Sequence, residues 1–319
     1  DILMVLGTTP EWAAKKKTEP VYPPTPGANS APKKMKDWDN WVTAVVTRYK
    51  GQISSYEIWN EASLKQFYNG TPEELAEMTK RAYDIIKAND PKALVVAASP
   101  ALRLSGPYRK FYPKYLAALA AKGWPVDVFS LHAYPAGDQT PADRAVLLAA
   151  FKEDLTAAGA PDLPIWDTEL NFGVAGPGDI PKTDITGPAA AGWIVRAYVD
   201  SLRNGIDRSY WYIWTQKPYP LLGVQAYPSS DGEKGFYALD SWVVGSEFGG
   251  CEDANGVVTC TFTKDGQASI IAWSESGESS YTVPEGAQMV CDPMSNCQQA
   301  TPGQQITLSE VPVWLSLQA

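Results

Sequence analysis

The segment Ser54-Ser55-Tyr56-Glu57-Ile58-Trp59-Asn60-Glu61 decides the fold of this chain. Its aromatic and β-branched residues do not alternate strictly with polar ones, which is typical of a strand buried on both faces of a parallel sheet. The segment ends on a carboxylate, at the edge where barrels and open α/β sheets place their active residues. The segment Pro164-Ile165-Trp166-Asp167-Thr168-Glu169 has the same two properties.

Strand-like and helix-like segments alternate along the first three quarters of the chain. The predicted strands are Ile2–Leu6, Ser54–Trp59, Leu94–Ala98, Val126–Leu131, Pro164–Thr168 and Arg208–Trp214. The predicted helices are Asp37–Tyr49, a helix that begins at the capping box Thr71-Pro72-Glu73-Glu74, Tyr108–Lys122, Pro141–Ala158, Gly187–Asn204 and Lys234–Val244. Six β-α repeats predict a parallel sheet, either doubly wound or forming most of a barrel. No G-x-G-x-x-G motif follows the first strand, which disfavours a dinucleotide-binding fold.

The pattern changes from about Glu247 onward. The predicted strands become short and are separated by Gly, Asn, Asp and Pro turns: Val257–Thr263, Ala268–Ser274, Ser280–Val283, Gln288–Cys291, Gln305–Leu308 and Pro312–Leu317. This pattern predicts an all-β module. The length of 319 residues fits two domains, which we place at 1–246 (α/β) and 247–319 (β-sandwich-like).

The four cysteines form two close pairs, Cys251/Cys260 and Cys291/Cys297. Neither pair has the C-x-x-C spacing of a zinc or redox site. We therefore predict two short-range disulfides and an oxidising compartment, which means a secreted, cell-surface or periplasmic protein. The alternative is four reduced thiols.

The overall composition disfavours several classes of function. The net charge of −9 at pH 7 argues against nucleic acid as a partner, because an acidic chain is repelled by phosphate backbones. The sequence has no run of about 18 apolar residues, so no membrane span is predicted. His132 is the sole histidine, which excludes multi-histidine metal sites, and we predict neither a metal nor a cofactor. The 12 tryptophans and 16 tyrosines offer rings on which sugars can stack.

Two strand-end carboxylates, Glu61 and Glu169, suggest a chemistry. Glycoside hydrolysis needs such a pair, because one carboxylic acid protonates the leaving oxygen while the other attacks the anomeric carbon or activates water. A single glutamate at a strand end is more often a cap or an ion-pair partner. The pair becomes informative through the motifs that accompany it.

Those motifs resemble the retaining glycosidases of clan A. The resemblance rests on Trp59-Asn60-Glu61 after one strand, His132-Ala133-Tyr134 two strands later, and Thr168-Glu169 one strand further on. The opening Leu6-Gly7-Thr8-Thr9-Pro10-Glu11-Trp12 and the C-terminal β module resemble glycoside hydrolase family 39 in particular. The resemblance extends over nearly the whole chain and implies a (β/α)8 TIM-type barrel followed by a β-sandwich-like domain.

The resemblance also implies roles for individual residues. Glu61 is expected to be the general acid/base, and Glu169 the nucleophile. Asn60 is expected to bind the 2-hydroxyl of the sugar, and His132 and Tyr134 to line the same subsite. The aromatic walls of the carbohydrate site are expected among three tryptophans, Trp12, Trp211 and Trp214.

The chain departs from the family at its start. If Glu61 ends the fourth barrel strand, then Ile2–Leu6 is the third, and the first two βα units are absent from this chain. Three explanations are open: a fragment or late start, a separate N-terminal segment that completes the barrel, or a barrel that is incomplete by nature.

Two other functions compete with a glycosidase. A non-catalytic carbohydrate-binding or scaffold protein would hold Glu61 and Glu169 more than about 10 Å apart or point them away from a cleft, beyond the spacing that glycosidases use. A barrel lyase would need a Schiff-base lysine at a strand end, and none of the six ends supplies one. The sugar, its linkage and exo or endo action stay open, since they depend on loops such as Lys15–Lys36 and Phe172–Asp184.

Overall fold

The computed structural model describes residues 1–18, 24–176 and 179–318. The predicted loops Lys15–Lys36 and Phe172–Asp184 therefore lie partly outside the described residues. The chain divides into two compact units, the first comprising Asp1–Ala133 with Leu147–Glu169 and the second Tyr134–Val146 with Leu170–Ala319. None of the helices among the described residues combines the length and the hydrophobicity needed to cross a membrane.

The elements follow the predicted order. The strands of the first part are β1 (Leu3–Leu6), β2 (Ser55–Ile58), β3 (Leu94–Val96), β4 (Phe129–His132), β5 (Ile165–Leu170) and β6 (Arg208–Trp211). The helices are α1 (Met35–Arg48), α2 (Pro72–Asn89), α3 (Ser105–Ala120), α4 (Pro141–Ala157), α5 (Gly187–Arg203) and α6 (Asp231–Trp242). The C-terminal strands are β7 (Glu247–Ala254), β8 (Val257–Lys264), β9 (Gln267–Ser274), β10 (Ser279–Thr282), β11 (Ala287–Cys291), β12 (Cys297–Gln299), β13 (Gln305–Leu308) and β14 (Val313–Leu317).

The first unit contains parallel strands arranged in the order of the chain. β1 pairs with β2, β2 with β3, and β4 with β5, all in parallel. A hydrogen bond from the N–H of Ala97 to the carbonyl of Val128 (2.9 Å) joins the end of β3 to the segment that enters β4. The carboxyl ends of these strands therefore lie along one edge. This arrangement confirms the parallel α/β sheet, whereas a closed (β/α)8 barrel stays a prediction.

Helix α2 shows how the sequence specifies these elements. The Thr71 hydroxyl accepts the N–H of Glu74 (3.2 Å), and the Glu74 carboxylate accepts the N–H of Thr71 (2.9 Å), which confirms the capping box. The apolar stripe of α2 is buried, including Leu75, Met78 and Ile86. The Trp38 indole of α1 donates to the carbonyl of Met78 (3.0 Å), so α1 and α2 are joined by a buried polar contact as well as by packing.

The second unit contains a six-stranded antiparallel sheet in the order β12-β11-β14-β9-β8-β7, with β10 and β13 paired separately. Helices α5 and α6 cover one face of this sheet. Val199, Leu239 and Trp242 of the helices share one buried cluster with Phe262 and Trp273 of the strands. Apolar burial thus joins the two helices to the C-terminal strands, while the division of the sequence at residue 246 stays a prediction.

The structure differs from the sequence prediction most clearly at three strands: β6 is shorter, and β7 and β12 were not predicted. β6 ends at Trp211, before the predicted end at Trp214, because the chain turns at Tyr212 and Ile213; the last hydrogen bond to β5 runs from the N–H of Tyr212 to the carbonyl of Leu170 (2.9 Å). β7 was not predicted, since it is largely exposed and carries two adjacent glycines, with a bulge at Phe248/Gly250. Pairing with β8, rather than local preference, makes this segment a strand.

Both predicted disulfides are present. Cys251 of β7 bonds to Cys260 of β8, directly across the strand pair. Cys291 of β11 bonds to Cys297 of β12 in the same manner. Each bond therefore links an edge strand of the C-terminal sheet, β7 or β12, to its neighbour.

A buried ionic network ties α5 to the C-terminal strands. The guanidinium of Arg196 is fully buried, lies 2.8 Å from the Glu275 carboxylate and stacks over the ring of Trp273 at 5.2 Å. Arg203 lies 2.5 Å from the same carboxylate and 3.1 Å from Asp253. Glu275 is thus the shared partner of two arginines from one helix.

We expect Glu275→Ala to lower the free energy of unfolding by about 3 kcal/mol, since it removes a hydrogen-bonded carboxylate from a buried guanidinium. Urea denaturation followed by tryptophan fluorescence measures this change. The exposed Glu278 nearby provides the control, because Glu278→Ala is expected to change stability by less than about 0.5 kcal/mol. Equal effects of the two substitutions would show that the network contributes nothing.

Candidate active site

Local contacts fix the turn that follows β2. Trp59 is buried, its indole N–H donates to the carbonyl of Phe67 (2.8 Å), and its ring meets Tyr68 edge-on at 5.1 Å. The carbonyl of Glu61 accepts the N–H of Leu64 (2.9 Å). Trp59 and Glu61 have φ values of 73° and 40°, a left-handed conformation that is costly for residues other than glycine. These contacts hold that conformation and thereby place the carboxyl of Glu61.

An irregularity in the pairing of β4 with β5 places Glu169 opposite His132. Leu131 pairs with Asp167, but the next pair is His132 with Glu169, so the register shifts and skips Thr168. With regular pairing, His132 would lie opposite Thr168. Bulges next to active sites commonly re-aim a side chain in this way.

Glu61, His132 and Glu169 form one cluster at the carboxyl ends of β2, β4 and β5. Nδ1 of His132 lies 3.2 Å from Oε1 of Glu61 and 3.5 Å from Oε2 of Glu169. One atom from each of the three groups lies within 4.8 Å of the other two. The side chain of His132 is 1% exposed, that of Glu61 10% and that of Glu169 27%, so the cluster is reached by solvent at Glu169.

The electrostatics of the cluster favour a charged imidazole. Burial by itself disfavours the imidazolium of His132. The carboxylate of Glu169, the hydrogen bond and charge of Glu61, and the charge of Glu57 outweigh burial and raise the pKa of His132 to about 10. His132 therefore carries a positive charge at neutral pH.

Glu57 is a third carboxyl group in this part of the sheet, and it is 1% exposed. The hydroxyls of Ser130 and Thr168 donate to its Oε1 at 3.0 and 3.1 Å, and Ser99 is a further hydroxyl partner. Burial raises the pKa of Glu57, while the charge of His132 and the three hydroxyls oppose that rise. Glu57 was not among the predicted site residues, although an acidic residue inside an otherwise apolar strand was an available signal.

A pocket of about 310 Å³ opens at the cluster and is lined by Val5, Gly7, Thr8, Trp59, Asn60, Phe67 and Glu169. Asn60, a predicted sugar ligand, thus shares a pocket with the predicted nucleophile. A larger cavity of about 560 Å³ adjoins this pocket through Gly7 and Thr8. Trp12 lies in the larger cavity and is 73% exposed, so its ring is accessible to a ligand.

The remaining predicted site residues belong to the second unit. Tyr134 is buried, and its ring meets Tyr212 edge-on at 6.5 Å. Trp211 packs against an apolar cluster and meets Phe236 at 6.0 Å. Trp214 also meets Phe236, at 5.8 Å, but is 48% exposed. The roles of Tyr134, Trp211 and Trp214 as sugar contacts stay predictions.

The same three groups satisfy the distance requirement of a divalent-cation site. Metal binding, however, requires deprotonated ligands. His132 retains its proton up to a pKa of about 10, so a cation would have to displace that proton. The positive charge of His132 therefore opposes the binding of a cation at this cluster.

Comparison with known proteins gives matches in structure only. No family model matches the sequence, and no curated protein matches it. A family 39 glycoside hydrolase from Bacteroides cellulosilyticus has a TM-score of 0.69 at 16% identity, over 99% of this chain and 67% of that one. A family 30 endoxylanase from Clostridium papyrosolvens has a TM-score of 0.60 at 15% identity, over 99% and 79%. A glucosidase from Croceicoccus marinus has a TM-score of 0.61 at 17% identity, over 86% and 61%.

The resemblance to clan A glycoside hydrolases is thereby confirmed at the level of the fold. The chain spans 67% of the length of the family 39 structure. Sequence identities of 15–17% support a shared fold but do not identify the substrate. The evidence for the reaction is therefore the geometry of the site itself.

The sole histidine allows a direct test of the electrostatics. We expect its imidazole to titrate near pH 10, measured from the single histidine NMR signal after removal of any affinity tag. Because this pKa lies above the unfolded value of about 6.5, the stability that His132 contributes is complete below about pH 6.5 and is lost as the pH rises through about 10. His132→Gln is the control and should lack this pH dependence. A titration midpoint at or below pH 6.5 would contradict a raised pKa of His132.

Proposed function

We propose that this protein is a retaining glycoside hydrolase that cleaves O-glycosidic bonds of a polysaccharide or glycoconjugate. One observation carries the proposal: an oxygen of Glu61 lies within 4.8 Å of an oxygen of Glu169. Retaining glycosidases hold their carboxyl groups about 5–5.5 Å apart, whereas inverting enzymes leave about 6.5–9.5 Å for a water molecule. The fold shared with family 39 and family 30 glycoside hydrolases supports the same class of reaction.

In the first half of the proposed reaction, Glu169 is the nucleophile and Glu61 the acid. A carboxylate oxygen of Glu169 bonds to the anomeric carbon as the glycosidic C–O bond breaks. The proton of the Glu61 carboxyl group passes to the departing oxygen, so the leaving group departs as a neutral alcohol. The products are a glycosyl ester on Glu169 and an ionised Glu61.

In the second half, Glu61 acts as the base. Its carboxylate takes a proton from water, the water oxygen bonds to the anomeric carbon, and the ester bond to Glu169 breaks. The sugar leaves with the stereochemistry of the substrate, and both carboxyl groups return to their starting states. The negative charge thus moves from Glu169 to Glu61 and back during one cycle.

His132 can interact with either catalytic carboxyl group as the negative charge moves between them. Its Nδ1 lies within 3.5 Å of both carboxyl groups, so its N–H can donate to whichever of them is ionised. Asn60, which lines the pocket with Glu169, is proposed to bind the 2-hydroxyl of the sugar. Tyr134, Trp12, Trp211 and Trp214 stay candidates for the outer carbohydrate contacts. The two disulfides support secretion or a place at the cell surface or in the periplasm.

The nucleophile assignment is tested with Glu169→Gln. We expect loss of turnover on activated aryl glycosides, by more than the roughly 10²–10⁴-fold typical of one acid–base group. A 2-fluoro glycosyl trap should label Glu169 of the parent enzyme, as seen by peptide mass spectrometry. Exposed Glu153 on α4 supplies the control, and Glu153→Gln should leave turnover unchanged. Undiminished activity of Glu169→Gln would refute the assignment.

The acid/base assignment is tested with Glu61→Gln and two leaving groups. A substrate with a poorly acidic leaving group should be cleaved about 10²–10⁴-fold more slowly, because its oxygen needs a proton. A substrate with a nitrophenolate leaving group should still form the glycosyl ester, which then accumulates because water lacks its base. A uniform loss on both substrates, without accumulation, would place Glu61 outside the acid/base role.

A further inference from the structure

Glu57 lies close to the catalytic cluster without reaching its pocket. It accepts the hydroxyl of Ser130, which is two residues before His132 and on the same face of β4. It also accepts the hydroxyl of Thr168, the residue that the β-bulge skips just before Glu169. Its hydrogen bonds therefore go to the strands that carry His132 and Glu169, and its burial keeps it from touching substrate.

The proposed reaction makes a particular demand on His132. While the glycosyl ester exists, Glu169 is neutral, and after proton return Glu61 is neutral, so neither carboxylate is a constant counter-charge. An imidazolium that is 1% exposed is costly without a nearby negative charge. One of the two catalytic carboxyl groups is ionised at each stage, and a carboxylate that takes no part in bond making would add a counter-charge that does not move.

We propose that Glu57 is a positioning residue that keeps His132 cationic while the negative charge moves between Glu169 and Glu61. The inference rests on the proposed double displacement. With Glu57 ionised, His132 keeps its Nδ1–H and can donate it to whichever catalytic carboxyl group is ionised. Glu57 acts through His132 and through the hydroxyls of Ser130 and Thr168, and it exchanges no proton with the substrate.

The other titratable groups near Glu57 and His132 are consistent with this role of Glu57. The carboxylates that act on His132 are Glu61, Glu169 and Glu57. Tyr112 and Tyr115 of α3 also lie near Glu57. The pKa of both phenols is raised, mainly by burial and to a smaller extent by the charge of Glu57. The tyrosines are therefore neutral at working pH and add no negative charge near His132.

Glu57→Gln tests the proposal through the single histidine NMR signal. Glutamine keeps the size of the side chain, and its carbonyl oxygen can still accept the hydroxyls of Ser130 and Thr168, so the main change is the loss of the charge. We expect the pKa of His132 to fall by about 1 unit or more, the usual effect of removing one nearby opposite charge. An unchanged pKa overturns the proposal, because it means that Glu57 is neutral or acts only as a hydrogen-bond acceptor.

A second variant covers the case in which Glu57→Gln does not fold. Thr168→Val removes one hydroxyl that stabilises the ionised form of Glu57 and leaves all three carboxyl groups in place. We expect a smaller fall in the pKa of His132, in the same direction. The matched control is Thr156→Val, a threonine exposed on α4 whose hydroxyl bonds to its own helix, and it should leave the signal unchanged. Equal results for the two threonine variants also overturn the proposal.

Kinetics separate this inference from the proposed function. In an active enzyme, Glu57→Gln should lower kcat more than it raises KM, because Glu57 acts through His132 and does not touch the substrate. If the protein hydrolyses no glycoside but the pKa of His132 falls in Glu57→Gln, the proposed function fails while the electrostatic link stands. If hydrolysis occurs and neither the pKa of His132 nor kcat changes in Glu57→Gln, only the role of Glu57 fails.

Discussion

The interaction on which the rest of the site depends is the contact of one imidazolium with two carboxyl groups. Two carboxylates as close as Glu61 and Glu169 repel each other. His132 lies within hydrogen-bonding reach of Glu61 and slightly farther from Glu169, and its positive charge offsets this repulsion. The N–H of His132 can therefore hydrogen-bond to either carboxyl group during the proposed double displacement.

The fold makes the contact of His132 with Glu61 and Glu169 possible because it brings the ends of their strands together. Parallel strands in chain order place residues that are about 110 positions apart in sequence at one edge of a sheet. The turn after β2 holds Glu61 in a left-handed conformation, and the bulge between β4 and β5 aims Glu169 at His132. Both features are local irregularities, and both occur where the chemistry is proposed. Strain of this kind persists only where the surrounding contacts enforce it.

The second unit is held together by different means. Its core is continuous between α5, α6 and the C-terminal sheet, and the buried Arg196 is paired with Glu275 across the same boundary. The disulfides attach the edge strands, where hydrogen bonding to neighbours is least complete. The C-terminal strands are therefore an integral part of the unit that contains α5 and α6.

The sequence by itself determined the order of the elements, the capping box of α2, the disulfide pairs and the candidate carboxylates. These depend on periodicity, turn residues and spacing, which are local properties of the chain. Only the tertiary structure decided that β7 is a strand, that Thr168 is skipped so that Glu169 faces His132, and that a third carboxyl group, Glu57, lies close to the cluster. Each of these depends on pairing or on charges between distant segments. A strand register and the protonation of a buried group are set by neighbours that no local pattern identifies.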